Sequence, residues 1–154
     1  MAHFEVEPVG HVAGGRVAPI DDEWGASRAT IRLDPARFGA EALAGLEAFS
    51  HAEILFLFDR VGEGEVETGA RHPRGRTDWP RVGIFAQRGK NRPNRIGVSV
   101  CRIVSADGVE LEVEGLDAID GTPVLDIKPV MSGFLPRGEV REPDWSREIM
   151  QSYW

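Results

Sequence analysis

Apolar and polar residues alternate over many short stretches of the chain, the pattern of strands with one buried face. In "ATIRL", Ile31 and Leu33 fall on one side. "EILFLF", Glu53 to Phe58, is a continuous apolar run of strand length, which predicts burial on both sides. In "RIGVSVCRIVSADGVELEVEG", Ile96, Val98 and Val100 alternate along one strand and Ala106-Asp107-Gly108 supplies a turn. Val109, Leu111 and Val113 then alternate with Glu110, Glu112 and Glu114, so the glutamates are expected to face water. Gly83 to Arg88 predicts a further strand, and "TPVLDIKPV" another, bounded by Pro123 and Pro129. Helical spacing appears twice. Leu43, Leu46 and Phe49 in "GAEALAGLEAFSH" predict an amphipathic helix, and Trp145, Ile149 and Tyr153 in "EPDWSREIMQSYW" predict a terminal one.

Many short strands, one or two helices and no regular strand-helix alternation predict a mainly β fold, a small antiparallel β-barrel or sheet. The 154 residues fit a single domain over 1–154, large enough to bury an ordinary core. A doubly wound nucleotide-binding fold is disfavoured, because no Gly-rich turn follows the first strand.

Composition narrows the setting. No run of eighteen apolar residues is present and the N-terminus carries acids and a proline, so a cytoplasmic protein without a membrane partner is expected. Cys101 is the only cysteine and reads as a small strand residue filling space. The four histidines, His3, His11, His51 and His72, are scattered, and no metal is expected. The net charge of −7 conceals a basic segment: Arg71 to Arg102 holds nine basic residues against one acid, Asp78. That segment is +8 and the remainder −15. Eight of the nine are arginine, whose planar fork pairs with phosphate or carboxylate; the same richness also suits a solvated face.

Three clusters carry candidate chemistry. The first is "GIFAQRGKNRPNRIGVSV", residues 83–100. Five residues separate Gly83 from Gly89 and Asn91 follows Lys90, which excludes a P-loop. Gly89, Pro93 and two asparagines make a loop in which Arg88, Lys90, Asn91, Arg92, Asn94 and Arg95 crowd within eight residues, so an anion is expected there. The second is "GLDAIDGTPVLDIKP", where Asp117 and Asp120 precede a tight turn at Gly121. Along the strand that follows, Asp126 and Lys128 are expected on the face of Val124, either to handle a proton or as a structural ion pair. The third is "FLFDRVGEG", in which Asp59 and Arg60 end a strand and could meet a zwitterionic ligand or form an edge pair.

"GLEAFSH", "GIFAQRGKNRPNRIGVSV" and "GLDAIDGTPVLDIKP", in this order, resemble the TrmO (TsaA-like) family of S-adenosylmethionine-dependent tRNA methyltransferases. The family's usual versions read close to G-[VI]-F-A-T-R-S-x-x-R-P-N-P-I-G and L-D-x-x-D-G-T-P-V-[LV]-D-I-K-P, and the likeness runs from about Phe4 to Phe134. It implies a small β-barrel and a homodimer with the site near the subunit interface. The implied reaction is methyl transfer from S-adenosylmethionine to N6 of threonylcarbamoyladenosine beside the anticodon of tRNA. Carried over by residue, the cofactor contacts are Asp59, Arg60, Arg88, Val98, Glu114, Gly115, Leu116 and Asp117. Lys90, Arg92, Asn94 and Arg95 would face the RNA, and Trp79 is the candidate stacking aromatic. Asp126 is the candidate acceptor of the N6 proton, with Lys128 positioning it. Two alternatives remain: the same cofactor site serving a small molecule, and a catalytically silent RNA-binding or cofactor-sensing module.

Overall fold

Period-two alternation governs the computed structural model, which describes all residues 1–154. The strands are β1 (Gly10–Ala13), β2 (Arg28–Leu33), β3 (His51–Leu57), β4 (Ala70–Arg71), β5 (Val82–Gly83), β6 (Ile96–Asp107), β7 (Glu110–Glu114) and β8 (Pro123–Pro129). Six of them close an antiparallel barrel in the order β1-β2-β7-β6-β3-β8, and β4 pairs with β5 outside it. The mainly β barrel expected from the alternation is therefore the fold. Closure leaves no exposed sheet edge except where a strand outruns its neighbour.

The inward phases of β2, β3 and β7 fill the barrel with Ile31, Ile54, Phe56, Leu111 and Val113, all at most 2 % exposed. Glu110, Glu112 and Glu114 point outward, where arginines on neighbouring strands meet them: Arg32 with Glu110, Arg28 with Glu112 and Glu114, and Arg102 with Glu114. These pairs are solvent-exposed, so water and salt screen them and each contributes little to stability.

Five local expectations are corrected. β3 is buried on one face only, through Ala52, Ile54 and Phe56, because it lies in an antiparallel barrel wall and not between two layers. On β6 the buried phase is Gly97, Ser99 and Cys101, so Ile96, Val98 and Val100 line the outside. The reason is steric. The Phe56 and Phe58 rings pack edge-to-face, 5.3 Å between centroids, and a Cβ at Gly97 would lie 2.5 Å from the Phe56 ring. The amphipathic helix around Leu43 is instead two separate 3-10 turns, Ala40–Ala42 and Leu46–Ala48, broken at Gly45 with φ +90°. Leu43 nonetheless reaches the core, with Leu46 packed against it. Gly83–Arg88 is not a strand beyond Gly83: Ile84–Ala86 forms a 3-10 turn that buries Ile84. At the other end of the chain α1 (Asp144–Ile149) is helical as expected, with Tyr153 in the turn that follows.

β8 carries a bulge. Phe56 faces Val124 while Leu55 faces Asp126, so Leu125 is the extra residue and the inward phase shifts from Val124 to Ile127. Asp126 and Lys128 therefore point outward, opposite to Val124, which corrects the shared face read from the spacing.

Gly97→Ala should cost about 1–3 kcal/mol in a chemical unfolding curve, because the added methyl meets a ring fixed in the core. The Cys101 thiol is 1 % exposed and is pushed up to about 12, by burial first and then by the charge of Asp117. At pH 8 it should resist a thiol reagent in native protein and react at once in denaturant.

Candidate functional site

β6 is twelve residues long and β7 five. β6 pairs with β3 from Ile96 to Arg102 and with β7 only from Arg102 to Asp107, so its first half has a strand on one edge alone. The bonds from the Phe58 N–H to the Arg95 carbonyl (2.8 Å) and from the Ile103 N–H to the Ser50 carbonyl (2.9 Å) fix the ladder's phase. In that phase Val98 and Leu55 are a non-hydrogen-bonded pair, so the backbone N–H and carbonyl of Val98 both point to the free edge. Arg88 takes the carbonyl, donating from Nη2 at 3.0 Å, and the N–H has no strand opposite it.

The loop after β7 runs beside this overhang. Gly115, Leu116 and Ala118 are buried, while Asp117 between the last two is half-buried. The Ser99 hydroxyl donates to Asp117 Oδ1 and the Tyr153 hydroxyl to Oδ2. Burial, followed by the Asp117 charge, pushes the Tyr153 phenol well above its ordinary range, and the charges of Arg74 and Arg88 pull weakly the other way. Thus Arg88, Val98 and Gly115–Asp117, far apart in sequence, surround one open strand edge. Glu114 joins only through its backbone: Arg28 and then Arg102 hold its carboxyl below the usual carboxylate range on the outer face. Asp120 does not join. Its carboxylate accepts the Gly14 N–H at 2.9 Å, so the two aspartates of this turn serve different ends.

Asp59 and Arg60 are exposed on the turn after β3, one residue past the bond that ties Phe58 to Arg95 at the start of β6. They lie at the same end of the barrel as the overhang. In the donor-rich loop, Arg92 donates to the Gln87 carbonyl at 2.7 Å and Arg95 to the Val61 carbonyl at 2.5 Å. Arg92 thus holds the chain just before the loop and Arg95 ties the loop to the turn after β3, leaving Lys90 and Asn94, besides Arg88, as its exposed polar side chains. Trp79 is not available for stacking. It is 4 % exposed, donates from its indole to Glu148 at 2.7 Å and is covered by the Arg76 guanidinium at 4.0 Å.

Asp126 and Lys128 pair with each other at 2.8 Å on the outer surface. Asp126 lies across β3 from Val98, opposite Leu55 on the same row, about 10 Å away at ordinary strand spacing. The structure brings this pair to the outer face and not to the Asp117 side of β6. Two residues of the site escaped sequence reasoning, Ser99 and Tyr153. A hydroxyl within the small-residue phase Gly97-Ser99-Cys101 is the one sequence signal for the first, and helical spacing from Ile149 hinted only at packing for the second.

Comparison with known proteins bears on this geometry. Residues 16–134 match the family model of the tRNA-methyltransferase O N-terminal domain. The tRNA (adenine(37)-N6)-methyltransferase of Escherichia coli is 44% identical over 117 residues, covering 73% of this chain and 47% of that protein. A protein of Archaeoglobus fulgidus named "Probable S-adenosyl-L-methionine-binding protein" is 36% identical over 106 residues, 69% of this chain and 28% of that one. Among solved structures, TrmO from Pseudomonas aeruginosa superposes with a TM-score of 0.76 at 31% identity, covering 94% of this chain and 62% of that chain. The chain thus spans about half the length of the Escherichia coli relative. With the β6 overhang, its arginine and its aspartate loop all inside the matched residues, this chain belongs to the TrmO N-terminal domain family.

Proposed function

We propose that this chain is an S-adenosylmethionine-dependent methyltransferase acting on N6 of threonylcarbamoyladenosine next to the anticodon of tRNA. The observation that carries the reading is the open edge of β6, where an unpaired backbone N–H, an arginine and a carboxylate stand together. The donor set suits the cofactor. Arg88 has guanidinium nitrogens beyond the one spent on Val98 and can take a carboxylate. Asp117 can take an ammonium or amino group, and the Val98 N–H can donate to a ring nitrogen of a purine. Asp59 and Arg60 offer opposite charges at the same end.

The bound cofactor would supply an electrophilic methyl group. What the protein then does is align an acceptor nitrogen with that carbon and keep water out. Lys90 and Asn94 are the residues of the loop with side chains left for RNA. The apolar outer row of Leu55, Leu57, Ile96, Val98 and Val100 supports a homodimer. Asp126 and Lys128 flank that row, so in such a dimer they would face the second copy, where Asp126 could accept the N6 proton.

Calorimetric titration should give S-adenosylmethionine binding that Arg88→Ala weakens tenfold or more, and transfer of a labelled methyl group to bulk tRNA should fall with it. Transfer to small molecules but not to tRNA would replace the tRNA reading, and no transfer with intact binding would leave a cofactor sensor. Lys90→Ala should lower tRNA affinity and reduce the slope of log K against log salt by about one. Val100→Asp places a charge on the outer row and should yield a monomer by light scattering, whereas an unchanged mass would remove that face from the dimer.

A further inference from the structure

The segment from α1 to Trp154 reaches the site across an exposed stretch; every residue from Met131 to Asp144 is exposed. It is held by five contacts. Glu148 accepts the Trp79 indole N–H at 2.7 Å. The Ser152 and Tyr153 carbonyls accept the Glu23 and Trp24 N–H groups at 2.8 and 2.7 Å. Gly25 lies so close to Trp154 that a Cβ there would stand 2.7 Å from its carbonyl carbon. The Tyr153 hydroxyl donates to Asp117.

The last contact differs in kind from the others. Arg74 and Arg88 lie close enough for their charges to act on the Tyr153 hydroxyl, yet neither bonds Asp117: Arg74 pairs with Asp22 at 2.9 Å, and Arg88 uses one nitrogen on the Val98 carbonyl. Its two oxygens instead accept one neutral hydroxyl each, from Ser99 and Tyr153. A carboxylate has about four lone-pair positions. Two hydroxyls orient it, leave positions open and do not neutralise its charge. A carboxylate that only held the fold would be better served by a guanidinium; Asp117 has none bonded to it, while Arg88 keeps nitrogens free for a ligand.

We propose that Tyr153 is a positioning residue of the cofactor site: by donating to Asp117, with Ser99 on the other oxygen, it fixes the site's uncompensated carboxylate toward the cationic or amino groups of the methyl donor. The segment Asp144–Trp154 is then a wall of the site. This rests on the reading that the β6 overhang holds the cofactor.

Tyr153→Phe removes only the hydroxyl, because the ring, the backbone bonds to residues 23 and 24 and the Trp79 anchor all remain. S-adenosylmethionine would be titrated into wild type, Tyr153→Phe, Asp117→Asn, the double variant and a form lacking 144–154. We expect Tyr153→Phe to bind about tenfold more weakly with an unchanged melting midpoint, and the double variant to bind no worse than Asp117→Asn alone, since the hydroxyl acts through the carboxylate. The deletion should weaken binding at least as much. Tyr153 is the only tyrosine, so a ring-labelled sample gives a single residue's signals, and these should shift when the cofactor is added. Wild-type affinity in Tyr153→Phe, or independent effects in the double variant, would overturn the positioning role while leaving the cofactor reading intact. Tighter binding by the deleted form would also overturn it, making the segment a plug. No binding by wild type would end both.

Discussion

A mismatch in strand length organises this molecule. β6 needs twelve residues to cross from β3 to β7 in a closed barrel of six strands, and β7 covers only its second half. The first half must satisfy an edge with something other than a strand. Arg88 does so at the Val98 carbonyl, and the Gly115–Asp117 loop lies alongside, tied to β6 through the Ser99 side chain; that is how residues from three parts of the chain come to one place. An edge completed by side chains and a loop leaves donors and acceptors that a ladder would have consumed, which is what a site for a small polar ligand requires.

The basic segment has a role that its net charge does not convey. Arg92 and Arg95 are bound to backbone carbonyls, Arg74 to Asp22, Arg76 to Asp78 and Trp79, and Arg102 to Glu114. A guanidinium can bridge carbonyl and carboxylate at once in a fixed plane, so these arginines fasten loops that have almost no regular secondary structure. Lysine in the same positions would add charge without holding the backbone. Acids outside residues 71–102 offset only Arg74, through Asp22, and Arg102, through Glu114, and among the cations without a carboxylate partner Arg81, Arg88 and Lys90 are exposed.

Alternation made most of the barrel legible from the sequence: β2, β7 and the turn at Gly108 are where the pattern puts them. The phase of β6 was not, because both faces are free of charge over residues 96–101 and the bulkier one lies outside. What decides it is the room over Gly97 taken by the rings of Phe56 on β3 and Phe58 just after it, a contact across the chain that no local pattern encodes. The helix around Leu43 failed for a local reason, the left-handed Gly45, and the shared face of Val124 and Asp126 failed at a bulge. Within the site, Arg88, Val98 and Asp117 came from the resemblance, while the ladder phase supplied the physical reason for Val98. Tyr153 lies 36 residues from Asp117, and nothing in the composition of either segment links them.

The most direct test is a crystal structure of the protein with S-adenosylhomocysteine. The account predicts the ligand along the open edge of β6, with its purine or ribose against the Val98 N–H and the Gly115–Asp117 loop and its carboxylate within hydrogen-bond distance of Arg88 or Arg60. Ligand bound elsewhere, for instance in the apolar groove between Phe38, Leu43 and Ile127, would contradict it.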